Sequence, residues 1–160
     1  MNFQCNQYLF YLSSKMFRKL NYQYVLSYLG LMPFILIIFH NSLLFQINQE
    51  ILKNFVIYYT IIISVFIGAT NWNLIQNVDN SKVFYGFFPS LFAVILIICN
   101  LYNFKFDTLI LTLIFILSIQ LFLDYIFIYL KSINKKSYYF LRIPLTLIII
   151  LSLLIIRSQF

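Results

Sequence analysis

Charge is scarce in this chain. Lys, Arg, Asp and Glu make up 9% of 160 residues, and only four of them are acidic. A soluble domain carries roughly a quarter charged residues, so this composition cannot clothe a core with a water-facing surface. Cysteine is reduced to Cys5 and Cys99. They are far apart, with no histidine near either, which excludes a disulfide framework and a zinc site. His40 is the one histidine. Bis-histidine haem ligation within the chain needs two, and any Ser-His-Asp set would have to be built on His40. With three glycines, no glycine-rich phosphate loop exists.

What fills the chain instead is apolar and aromatic. Hydrophobic residues make 62%, Phe, Tyr and Trp 21%, and the mean hydropathy is +0.90. Runs of about 20 apolar residues match a bilayer core of about 30 Å. Five such runs are present: 24–45, 55–74, 83–102, 108–130 and 138–156. The polar breaks at 46–54, 75–82, 103–107 and 131–137 are short, which makes consecutive helices antiparallel neighbours. The apolar runs do not alternate with polar residues as barrel strands must. The expected fold is an all-α membrane protein, a five-transmembrane-helix bundle over 24–160 with an N-terminal amphipathic surface helix over 1–23. The bias toward Phe, Ile, Tyr, Asn and Lys resembles that of a very AT-rich genome, such as an organelle or a reduced symbiont.

In the first 23 residues, Leu9, Leu12, Met16 and Leu20 recur at spacings of three and four, and Ser14, Lys15, Arg18 and Lys19 fall on another face. That pattern predicts a basic amphipathic helix lying on a membrane surface. A mitochondrial presequence is the rival reading, since the stretch has no acidic residue. The +7 net charge sits beside apolar runs and nowhere interleaves with aromatics as a nucleic-acid groove requires, so nucleic acid is not an expected partner. With five spans, one side holds Lys15, Arg18, Lys19, Lys82, Lys131, Lys135 and Lys136, with Arg142 just inside the last helix; the other holds Lys53, Lys105 and Arg157. The positive-inside rule then places the N-terminus in the matrix or cytoplasm and the C-terminus outside.

Where Gly, Ala and Pro are this rare, their positions carry information. Gly30, Pro33, Gly68, Ala69, Gly86, Pro89, Ala93 and Pro144 all fall in the matrix-side half of their helices. Small residues let helix backbones approach, and Ser64 with Gly68 forms one such face. Asn71 and Asn73 flank Trp72, which is placed as an interfacial anchor like Tyr138 and Tyr139; the asparagines cap the helix or line a pocket. Close packing at one end of the bundle is the expectation, and a small-ligand or quinone pocket there is the alternative. Asp124 and Arg142 are the charges within the spans. Intramembrane ionisable groups are functional candidates by default, but a structural ion pair is expected here. The last turn centres near Asn134, ten residues after Asp124 and eight before Arg142. At 1.5 Å per residue their depths differ by roughly 3 Å.

Four local strings are less generic: YLGLMPF at 28–34, SVFIGATNW at 64–72, YGFFPSLFA at 85–93, and YYFLRIPLTLIIILSLL at 138–154 with Asp124 before it. In this order they resemble the small membrane family of unknown function that includes transmembrane protein 69 of animal mitochondria and proteobacterial relatives. The resemblance covers roughly residues 26–156. Asn71 stands where that family usually has a histidine, so any activity carried by that histidine is in doubt here. The resemblance implies five membrane helices and, in eukaryotes, the mitochondrial inner membrane, but no reaction. We therefore expect no enzyme activity and no cofactor. The expected role is a structural accessory subunit of a mitochondrial respiratory-chain complex, with membrane lipids and other membrane subunits as partners. An assembly factor for such a complex is the first alternative, and a small transporter or quinone-binding protein the second. The absence of an internal repeat weighs against a transporter.

Overall fold

The computed structural model describes residues 25–39, 48–69, 80–131 and 138–160. They belong to two units, one ending at Pro33 and the other Phe34–Phe160. The predicted amphipathic helix over 1–23 and the residues His40, Asn71 and Trp72 lie outside the described set. All regular structure among the described residues is helical: α1 (Val25–Ile38), α2 (Gln49–Ala69), α3 (Asn80–Leu101), α4 (Phe106–Lys131) and α5 (Ile143–Gln159).

Among the described residues, four helices are long and apolar enough to cross a membrane, within α2, α3, α4 and the segment Tyr139–Gln159. The 21 residues of α2 reach about 31 Å, the thickness of a hydrocarbon core. α1 differs from the predicted span 24–45. It is short and is interrupted by a turn at Gly30–Leu31, and 40–45 lie outside the described residues.

α2 begins at Gln49, six residues before the predicted span. Asn48 caps it, its Oδ1 accepting the Glu50 backbone N–H at 2.9 Å. A polar break marks where the apolar layer ends; a helix with a good cap continues past that point into the aqueous boundary. The α3–α4 turn is also set by local chemistry. Asn103 takes a positive φ of 58°, the N–H of Phe104 reaches the Cys99 carbonyl (3.2 Å), and that of Asn103 reaches Asn100 (3.0 Å). This is a Schellman closure, and asparagine tolerates its left-handed position. At the opposite end, a π-helical turn, Tyr138–Arg142, leads into α5. Pro144 has no N–H to continue an α-type ladder back into that turn, and the backbone changes from π to α there.

Within Phe34–Phe160, α2 and α3 pack antiparallel, as do α4 and α5, and α2 runs parallel to α4. The core is the shared seam of Val56, Ile57 and Thr60 on α2, Ile110, Leu113 and Leu117 on α4, and Leu153 and Ile156 on α5. The second half of α1 joins it. Phe34 meets Tyr59 edge-on at 5.4 Å, and the Gln159 amide donates to the Ile38 carbonyl at 3.2 Å.

The distribution of polarity is inverted relative to a water-soluble bundle. Thr60, Ser64, Gln120, Asp124, Thr146 and Ser152 are buried. The outward faces are Phe, Leu, Ile and Val, as at Phe66 (70% exposed), Phe84, Phe88, Phe115 and Leu151. An apolar exterior of this extent is tenable only in lipid. The protein is a membrane-embedded helical bundle.

Candidate functional site

A chain of hydrogen bonds crosses the bundle at the end where α2 finishes and α3 begins. On α4, Gln120 and Asp124 stand four residues apart and so share one face. Ser64 on α2 and Gln120 bond reciprocally: Ser64 Oγ donates to Gln120 Oε1 (3.3 Å), and Gln120 Nε2 donates to the Ser64 carbonyl (3.0 Å). One turn along α4, Asp124 is 5% exposed. Its Oδ1 accepts from the Tyr85 hydroxyl of α3 at 2.8 Å, a hydroxyl that also lies 3.0 Å from the Gln120 carbonyl. Its Oδ2 accepts from Nε and Nη2 of Arg142, at the π-to-α junction before α5. Thr146 Oγ1 then donates to the Arg142 carbonyl at 2.9 Å. Four membrane elements are thereby tied by side chains on a single network.

The electrostatics follow from burial. A charge in a hydrocarbon layer costs about 2.5–3.5 kcal/mol on the insertion scale, and it is tolerated when its hydrogen-bonding capacity is filled. Asp124 is supplied by a guanidinium on one oxygen and a phenol on the other. No buried side-chain N or O among the described residues lacks a partner. Tyr85→Phe removes the phenolic donor and nothing else, a charge-assisted bond. We expect a loss of about 1–3 kcal/mol, read as a lower thermal midpoint in detergent. A variant melting with the wild type would show that Arg142 alone satisfies the carboxylate.

The small-residue cluster is partly assembled beside this network. Gly68 faces α3 so closely that a Cβ there would lie 2.7 Å from Pro89 Cγ and 3.0 Å from the Gly86 carbonyl oxygen. Ser64, Pro89 and Ala93 line a crevice between α2, α3 and α4 that has no room for a water molecule. Ala69 does not join them: it is exposed on the other side of α2, because one residue along a helix turns a side chain by about 100°. Pro144 stands half-buried at the start of α5. Gly30 and Pro33 belong to the unit that ends at Pro33. Asn71 and Trp72 lie outside the described residues.

Neither Tyr85 nor Gln120 was singled out from the sequence, where Asp124 and Arg142 were the ionisable groups weighed inside the spans. For Gln120 the signal was available. A glutamine in the middle of a membrane span needs a partner as surely as a charge does, and its i, i+4 relation to Asp124 places both on the bundle side. No group of three or more His, Cys, Asp or Glu that could hold a metal is found among the described residues.

Comparison with known proteins adds one finding. Neither the curated proteins nor the solved structures give a match. The model of a family described as a protein of unknown function (DUF3429) matches residues 21–157, and the chain belongs to that family.

Proposed function

We propose that the protein is a structural accessory subunit of a larger membrane complex, specifically of a respiratory-chain complex in a mitochondrial inner membrane. One observation carries this reading: among the described residues, the charges within the spans, Asp124 and Arg142, are closed on each other, while the outward faces are aromatic and aliphatic. Asp124, Arg142, Tyr85 and Gln120 are spent on holding helices together, which suits a scaffold better than a site that binds and releases a substrate. Phe84, Phe87 and Phe88 on the outward face of α3 suit contact with lipid and with neighbouring membrane helices. The mitochondrial assignment is supported by the AT-rich composition and by the resemblance to the transmembrane protein 69 family. In this reading α1 is the first of five spans, continuing toward Phe45, with residues 1–23 along the matrix face and the C-terminus in the intermembrane space.

A native gel of gently solubilised membranes tests the proposal. The protein is expected to comigrate in constant stoichiometry with one mature respiratory complex. Presence only in incomplete assemblies would make it an assembly factor. Migration as a free monomer, under conditions that keep the complexes whole, would overturn both. Terminal tags on mitoplasts test the orientation: protease should remove a C-terminal tag and spare an N-terminal one.

A further inference from the structure

At the end of the bundle away from the Asp124 network, a half-open cavity of about 280 Å³ lies between the start of α2 and the α3–α4 turn. Its depth is set by the helices. Lys53 is in the first turns of α2 and Asn100 is next to last in α3, which is the level of lipid headgroups for helices of this length.

The lining is polar and its charges are unmatched. Lys53 Nζ stands over the rings of Phe106 (5.7 Å) and Phe160 (5.6 Å). Those rings steady the ammonium without neutralising it, and Lys53 has no carboxylate partner among the described residues. Glu50 lies three positions earlier, on the same helix face. It is exposed and also makes no ion pair among the described residues. Between them, Asn100 Nδ2 donates to Asn54 Oδ1 and to Tyr58 Oη, each at 3.0 Å. That arrangement leaves the Tyr58 hydroxyl proton and the Asn54 N–H groups as donors, and Asn100 Oδ1 as an acceptor.

One lone cation, one lone anion, and donors and acceptors between them describe the complement of a zwitterion. We propose that this cavity binds a phosphoethanolamine group, as carried by phosphatidylethanolamine. The phosphate lies against Lys53, with Asn54 and Tyr58 donating to its oxygens, and the primary amine lies against Glu50 and Asn100 Oδ1. A phosphocholine group fits less well. Its quaternary nitrogen has no N–H to give to Glu50, and the rings that would stack on it are taken by Lys53. Phosphoglycerol brings no cation for Glu50.

The test uses the full chain in nanodiscs of equal phosphatidylethanolamine, phosphatidylcholine and phosphatidylglycerol, with retained lipid read by native mass spectrometry after transfer to detergent. Phosphatidylethanolamine is expected to exceed each of the others by about tenfold, the size of one charge-assisted hydrogen bond. Glu50→Gln should abolish its advantage over phosphatidylcholine, and Lys53→Gln should lower retention of all three. The readout is a ratio among lipids in one sample, so it does not depend on how much protein folds, and Glu50 is exposed enough to replace safely. A second arm adds soluble phosphoethanolamine. Displacement of retained lipid shows that the free group suffices, whereas retention of lipid alone makes the membrane the source. Equal retention of the three lipids by the wild type, or a preference that survives Glu50→Gln, would overturn the proposal.

Discussion

Arg142→Ala is expected to be the most damaging single substitution in the described bundle, costing on the order of 3–5 kcal/mol. The loss does not measure the worth of the pair. It is the penalty of leaving Asp124, 5% exposed and between helices, without the guanidinium that meets its Oδ2. Asp124→Ala should cost a similar amount for the converse reason, since Arg142 is itself largely covered. The diagnostic variant is Asp124→Leu with Arg142→Leu. Removing both charges removes the desolvation problem, and leucine suits the surroundings. Tyr85 would keep the Gln120 carbonyl as acceptor. The double variant should therefore accumulate in membranes and melt far closer to the wild type than either single one. If it were as unstable as the singles, the pair would be needed for more than mutual neutralisation. If it were stable but failed to enter its complex, the same residues would have a role in function.

Gly68→Ala carries the second large effect, and its origin is purely steric. The added methyl would meet the ring of Pro89 and the backbone oxygen of Gly86, and neither is the end of a flexible side chain. α2 and α3 must move apart, opening their seam. Overpacking of this kind costs about 1–3 kcal/mol, and Gly68→Leu should cost more. Removing the Pro89 ring in a Gly68→Ala/Pro89→Ala double variant should recover part of the loss, as expected for two residues in contact. Ala69→Leu, one position along but pointing outward, should be tolerated. Thermal midpoints in one detergent check all four variants. Equal effects at 68 and 69 would contradict the close approach of the two helices.

These two cases also show what was readable from the sequence. The pairing of Asp124 with Arg142 needed only a hairpin and a rise per residue, since two charges level with each other in a hydrocarbon layer have little else to meet. Gly68 against Gly86 and Pro89 was readable because small residues are rare enough here to stand out. Ala69 was included with them on composition alone, and the 100° between neighbours on a helix separates it. The start of α2 at Gln49 was missed because hydropathy locates the membrane, whereas capping by Asn48 locates the helix. Tyr85 was hidden for a different reason. A tyrosine in an aromatic-rich span looks like one more lipid-facing ring until its distance to a particular carboxylate is known. The cage over Lys53 was further out of reach, because Phe106 opens α4 and Phe160 follows the end of α5, and no periodicity within one segment records that.

The order of these contacts along the chain has a consequence for biosynthesis. Synthesis runs from α2 to α5, so each partner becomes available at a fixed time. Gly68 is waiting when Gly86 and Pro89 emerge, and the α2–α3 hairpin can close from its own residues. Asp124 then enters a membrane that already holds Tyr85 and Ser64, with Gln120 just ahead of it. The carboxylate finds a hydroxyl on arrival but must wait 18 residues for its guanidinium. Until Arg142 follows, the Tyr85 hydroxyl is the donor to Asp124 that an earlier helix supplies.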